Sequence, residues 1–166
     1  LKNCIIQNNF NYINYGEATD GRAGGVYSFG GTMINCYIQQ NKLGVRQNDT
    51  RVGACYGGGV YATYTTMYNC VISDNRLLCK YADGGGIKIE SGDCYNLTVI
   101  NNVSEGDARM AGGIHVWVGK SMRDAGFNGV TKLYNTISMG NTGYLNVGGG
   151  NKDVAYTDCH VEVVGG

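Results

Sequence analysis

Two short motifs alternate along this chain, and together they leave few folds open. The first is centred on asparagine. It reads NCIIQNN from Asn3, NCYIQQN from Asn35, NCVISDN from Asn69, NLTVINN from Asn96 and NTISMGN from Asn135, with a weaker copy, DCHVEVV, from Asp158. In the first five copies a second asparagine follows six positions on, at Asn9, Asn41, Asn75, Asn102 and Asn141. The second motif is a glycine pair with a short tail: GGVY at Gly24 and Gly58, GGIK at Gly85, GGIH at Gly112 and GGNK at Gly149. The repeat averages about 31 residues, and a unit of that size buries its apolar face only by stacking on its neighbours.

The tails alternate with period two, the signature of strands. Val26/Ser28, Val60/Ala62, Ile87/Ile89 and Ile114/Val116 fall on one face. Tyr27/Phe29, Tyr61/Thr63, Lys88/Glu90 and His115/Trp117 fall on the other. The asparagine motif carries a strand of its own, and no stretch has an apolar stripe at helical spacing. Leucine-rich, ankyrin and TPR patterns are absent, as is the calcium-binding GGxGxD nonapeptide. Two or three short strands per repeat predict an all-β chain, a right-handed parallel β-helix (solenoid) of about six coils. Residues 1–166 read as one domain segment of a longer protein, with coil anchors near Asn3, Asn35, Asn69, Asn96, Asn135 and Asp158. In such a coil each strand pairs with its counterpart ~4.8 Å away, so equivalent residues stack in columns. Glycine and asparagine suit the corners because both tolerate left-handed backbone, and stacked asparagines bond to one another along a column. An uncovered coil end presents open strand edges, so flanking coils or a partner protein are expected at one or both ends.

The cysteines fit this register. Cys4, Cys36, Cys70 and Cys159 share one repeat position, filled by Leu97 and Thr136 in the other copies, which predicts an inward column of packed thiols. Cys55 and Cys79 precede successive glycine pairs, where a disulfide between neighbouring loops is the alternative to packing. No cysteine or histidine spacing suggests zinc, and no acid cluster suggests calcium, so neither metal nor cofactor is expected. Composition excludes further classes. Charged residues are 16% of the chain and 13 basic residues balance 13 acidic ones, unlike a nucleic-acid binder or a polybasic membrane-surface protein. No apolar run approaches the ~18 residues of a membrane helix, so no transmembrane segment is expected.

The alternation of Gly-Gly-aliphatic-Tyr with NCxIxxN resembles the right-handed β-helix surface proteins of bacteria, among them the chlamydial polymorphic outer-membrane proteins. The final stretch, with Asn135, Thr136, Ile137, Gly140, Asn141 and Cys159, resembles the end of a choice-of-anchor Q domain. The family's usual tryptophan before the glycine is Met139 here. The resemblance implies an extracellular or bacterial cell-surface protein, and it transfers no catalytic residue.

The outward columns are where chemistry is expected. Tyr27, Phe29, Tyr61 and Trp117 form a partly aromatic strip, interrupted by Lys88, Glu90 and His115. Aromatic faces pack on the C–H faces of sugars while polar neighbours bond the hydroxyls, so these seven residues are the candidate ligand-binding set. The competing reading is that tyrosine is simply a good strand residue, and that Lys88 and Glu90 make a surface charge pair of small value. Lys88, Glu90 and His115 are also the only candidates for catalysis, as a lyase or glycoside hydrolase site on the same face. The 119–131 insertion, with Lys120, Arg123, Asp124 and Phe127, borders the strip. Its GKS opening is no phosphate loop, since Ile114 stands where that frame needs glycine. The expected function is a non-catalytic surface scaffold, adhesin or glycan-binding module whose partner is a polysaccharide or a host or cell-surface glycan; a trimeric fibre is the third possibility. Ionisable side chains gathered in one cleft favour an enzyme, and side chains splayed to solvent favour a scaffold.

Overall fold

A computed structural model describes residues 1–13, 20–45, 54–106, 108–109, 111–117, 131–143, 145–149, 154–157 and 160–161. The chain is all-β, with no helix among the described residues, and its strands lie in parallel sheets. Among the described residues, each of the first four repeats contributes to four sheets. The first is six-stranded and built from the asparagine motif: Ile5–Gln7, Tyr37–Gln39, Val71–Ser73, Thr98–Ile100, Ile137–Met139 and His160–Val161. The second holds Phe10–Ile13, Lys42–Val45, Arg76–Leu78 and Val103–Glu105. The third holds Gly21–Arg22, Ala54–Tyr56, Tyr81–Asp83 and Ala108–Arg109. The fourth holds the segments after the first four glycine pairs, followed by Leu145–Gly149 and Val154–Thr157; there Gly149 aligns with Val116 rather than with Gly112, so the GGNK copy is out of step with the other four. In two repeats the segments after the pairs are long strands, Val26–Ile34 and Val60–Tyr68; in the next two they are divided, as Ile87–Ile89 with Cys94–Tyr95 and Ala111–Val116 with Thr131–Tyr134. The expectation of two or three strands per repeat is therefore corrected to four segments. The second and third sheets use pieces of two to four residues, too short to carry a period-two signal.

Pairing runs repeat to repeat in register, with one shift between Ala111 and Ile114 where that strand meets Leu145–Gly149. Ile5, Tyr37, Val71, Thr98 and Ile137 align, as do Val26, Val60, Ile87 and Ile114. The thiol column forms as expected: Cys36, Cys70, Leu97 and Thr136 are buried, with Cys4 half-buried at the end. Burial pushes the Cys70 thiol pKa up, which suits packing rather than reactivity. Cys159 lies outside the described residues, as do Asp158 and residues 119–130 of the insertion. Tyr68, Tyr95 and Tyr134 form a second file, with ring centroids 4.9 and 4.8 Å apart and nearly parallel planes.

Asparagine works twice per repeat, in different ways. The first asparagine of each motif turns a corner: Asn3, Asn35, Asn69, Asn96 and Asn135 have φ between 44° and 55°. Their exposed amides donate down the file, from Asn135 to Asn96, Asn96 to Asn69, Asn69 to Asn35 and Asn35 to Asn3, at 2.7–3.2 Å. The second asparagine is buried. Asn75 Nδ2 donates to Ile38 O and Asn102 Oδ1, and its Oδ1 accepts from the backbone N–H and the amide of Asn41. Asn41 and Asn102 repeat the arrangement.

The glycine pair is the other half of this device. A Cβ on Gly58 would lie 2.1 Å from the carbonyl oxygen of Gly85, and one on Gly59 would lie 2.7 Å from the Asn75 amide nitrogen. The first glycine lets adjacent backbones meet, and the second leaves room for the buried asparagine. The two alternating motifs are thus one packing unit. Two apolar clusters fill the interior. The larger runs between the first and fourth sheets, and the smaller gathers Ile13, Leu43, Leu77 and Ala82 around Cys55 and Cys79.

Cys55 and Cys79 form a disulfide closing a 24-residue separation, with Cα atoms 5.9 Å apart. Replacing both by alanine is expected to cost about 3 kcal/mol, the range for a loop of this size. Denaturant midpoints of the double variant and of the reduced protein, each against the oxidised parent, check this; equal midpoints would show that the bond adds nothing.

Candidate functional site

The third and fourth sheets meet across the glycine turn, and their outward side chains line one cavity of about 450 Å³. The third sheet supplies Asp20, Arg22, Ala54, Tyr56, Tyr81 and Asp83; the fourth supplies Tyr61, Lys88, Glu90, His115 and Trp117. The volume is in the range of small-ligand sites.

The structure corrects one expectation at this point. The outward column of the fourth sheet is not splayed to solvent. Tyr61, Lys88 and His115 are only 2%, 2% and 1% exposed, and Thr63 is buried too. The third sheet walls this column in, and only Tyr27, Phe29 and Trp117 keep the expected exposure, at 51%, 70% and 45%. Phe29 packs its edge against Tyr64 and is not part of the cavity lining.

Register explains how the walls assemble. Lys88 sits between Tyr61 and His115 in the parallel ladder, and Tyr56 sits between Arg22 and Asp83. Lys88 Nζ lies 2.9 Å from His115 Nδ1 and 3.8 Å from Asp83 Oδ2. An ammonium only donates, so Nδ1 accepts and the imidazole proton sits on Nε2. That Nε2 is buried without a hydrogen-bond partner among the described residues. Burial, reinforced by the Lys88 charge, pushes the His115 pKa down to about 3, so the ring is neutral at physiological pH. Asp83, also partly buried, is pushed up by desolvation against the opposing pull of Lys88. The expected Lys88–Glu90 surface pair gives way to this buried group. Glu90 accepts from Thr63 Oγ1 at 3.2 Å and from the Tyr61 hydroxyl, and burial together with that carboxylate raises the Tyr61 pKa.

The aromatic rings carry cations on their faces. Lys88 Nζ lies 5.6 Å from the Tyr56 centroid and 5.9 Å from that of Trp117. The Arg22 guanidinium lies 5.2 Å from the Tyr61 centroid and 5.9 Å from that of Tyr27, and these two rings are 5.3 Å apart. Among the described residues no group of three or more His, Cys, Asp or Glu is placed to hold a metal ion, and no helix is long and apolar enough to cross a membrane.

Sequence reasoning missed the third-sheet wall, although a signal was present. Asp20, Ala54 and Tyr81 each stand four positions before a glycine pair, and Arg22, Tyr56 and Asp83 each stand two before. The spacing to the pair is constant but the residue types vary, and strands of two or three residues hide the segment from a periodicity search. No protein-family model, curated protein or solved structure matches this chain.

Proposed function

We propose that this chain is a segment of a right-handed parallel β-helix that acts outside the cell as a glycan-binding module, with the cavity between the third and fourth sheets as its binding site. The observation that carries the reading is the convergence of Tyr56, Tyr61, Tyr81 and Trp117 with Asp83, Lys88, Glu90 and His115 on one open cavity. Aromatic faces beside oriented polar groups are what a sugar ring needs, with its apolar C–H patches and its hydroxyl rim. Repeat-to-repeat parallel pairing in all four sheets supports the coil, and the crossover rule supplies its hand. The Cys55–Cys79 disulfide supports an oxidising compartment. The motif resemblance to choice-of-anchor Q domains and polymorphic outer-membrane protein repeats agrees with a bacterial surface location, where such a segment serves as scaffold or adhesin.

Binding of the whole chain to a broad glycan array, followed by titration calorimetry on the hits, tests the reading. Trp117→Ala is expected to weaken the best hit tenfold or more while leaving the thermal midpoint within a degree or two, because the ring is half exposed. An array with no hits, or hits indifferent to Trp117 and Tyr81, would overturn it.

The gathering of Asp83, Lys88, Glu90 and His115 in one cleft, rather than splayed to solvent, favours a second reading, that of an enzyme. Asp83 and Glu90 line the same cavity in unlike environments, one desolvated and pushed up, the other held by hydroxyl donors. Two carboxyl groups in one cavity are the groups a glycoside hydrolase uses, and Lys88 would serve as the base of a polysaccharide lyase only after losing its proton. Incubation with a polysaccharide panel separates the readings. New reducing ends, or unsaturated products, lost in both Asp83→Asn and Glu90→Gln would establish an enzyme; intact polymer leaves the binding module.

A further inference from the structure

We infer that the glycan taken by this cavity is acidic, with the carboxylate of a uronic acid residue docking on Arg22 at the cavity mouth. This rests on the glycan reading above and names the substrate class within it.

The cavity holds two permanent cations in different situations. Lys88 is enclosed and committed, with His115 Nδ1 at 2.9 Å and Asp83 at 3.8 Å. Arg22 is exposed, and no carboxylate among the described residues lies within ion-pair distance of it, although Asp20 and Glu90 line the same cavity. Its hydrogen bonding among the described residues is one long contact from Nη1 to the Tyr27 hydroxyl at 3.4 Å. What holds the guanidinium is ring contact, with Tyr61 and Tyr27. A guanidinium held by ring faces keeps most of its five N–H donors for a ligand, in the fork geometry that matches a planar carboxylate. Of the two rings Tyr27 is half exposed and offers a sugar face beside that fork, so one monosaccharide unit can reach both.

The neighbouring acids set the size of the effect. Glu90 is occupied by Thr63 and Tyr61 rather than by Arg22. Together with Asp20 it still lowers the local potential, so a preference of about tenfold is expected rather than the larger factor of an isolated charge-assisted pair.

The test compares oligogalacturonate, oligoglucuronate and alginate oligomers with the same oligomers after chemical reduction of the carboxylates to alcohols, using the whole chain and calorimetry. Neutral and sulfated oligosaccharides of matched length serve as further arms. At least one uronate oligomer is expected to bind tenfold or more tightly than its reduced counterpart, and 0.5 M NaCl should erase most of that ratio. In Arg22→Gln the ratio should fall to about one, and in Arg22→Lys to an intermediate value. Reduced or neutral oligomers binding as well as uronates, a ratio that survives Arg22→Gln, or binding confined to sulfated glycans would each overturn the inference while leaving the glycan reading standing. Failure of every oligosaccharide to bind would overturn both.

Discussion

Asn75→Ala is expected to lower stability by about 4 kcal/mol, the largest effect of any single side-chain truncation in the first sheet's turns. The change removes four hydrogen bonds at once: two donated, to Ile38 O and Asn102 Oδ1, and two accepted, from the backbone and amide of Asn41. Each is worth ~1 kcal/mol net, and groups left dry and unpaired cost more. All of this lies in a site with no solvent access, since Asn75 is fully buried. Asn69→Ala is the control in the other ladder. It breaks two exposed amide contacts and places alanine at φ 52°, for an expected loss of about 1–2 kcal/mol. Asn69→Gly relieves the backbone part and should cost less. Denaturant midpoints of the three variants check the ordering. Equal losses at Asn75 and Asn69 would mean that the buried ladder is no stronger than the surface one.

The second large effect is a dependence of stability on pH centred on His115. Its folded pKa of about 3 lies below the ordinary 6.5. Between these values the unfolded chain binds a proton that the folded chain refuses, so stability rises with pH across this window. The contribution is complete above about pH 6.5 and is lost as pH falls toward 3. At ~1.4 kcal/mol per unit, the full window corresponds to about 5 kcal/mol as an upper bound. Asp83 acts in the opposite sense, because a raised carboxyl favours the folded state at low pH and loses that contribution as pH rises through its folded value. The clean readout is therefore the difference between the parent and His115→Asn, whose amide oxygen can still accept from Lys88. The parent should lose several kcal/mol relative to the variant on going from pH 7 to pH 3.5. Parallel pH profiles would show that the ring is not held neutral by its surroundings.

These predictions sit on parts of the molecule that were unequally legible. The thiol column, the asparagine corners and the inward set Val60, Ile87 and Ile114 follow from the repeat alone. Stacking in parallel register is a translation, so a residue type that recurs at one position must recur at one place in space. The link between the glycine pair and the buried asparagine was not legible. Both motifs repeat with the same period, and only the approach of Gly59 to Asn75 shows that one makes room for the other. Nor was the enclosure of Lys88 and His115. Alternation tells which face of a strand a side chain leaves from; it does not tell whether another sheet stands opposite that face.

What the amino-acid sequence determined by itself, then, is the strand-rich repeat, the files of like residues and the two sides of the segments after the glycine pairs. The tertiary structure alone decided the division of each repeat into four segments, the Cys55–Cys79 pairing and the cavity. The cavity depends on the turn between the third and fourth sheets, where a glycine such as Gly57 at φ 71° redirects the chain and brings Arg22, Tyr56 and Asp83 against Tyr61, Lys88 and His115. Local pattern reports the environment along one strand; the angle between two strands is a property of the space they share.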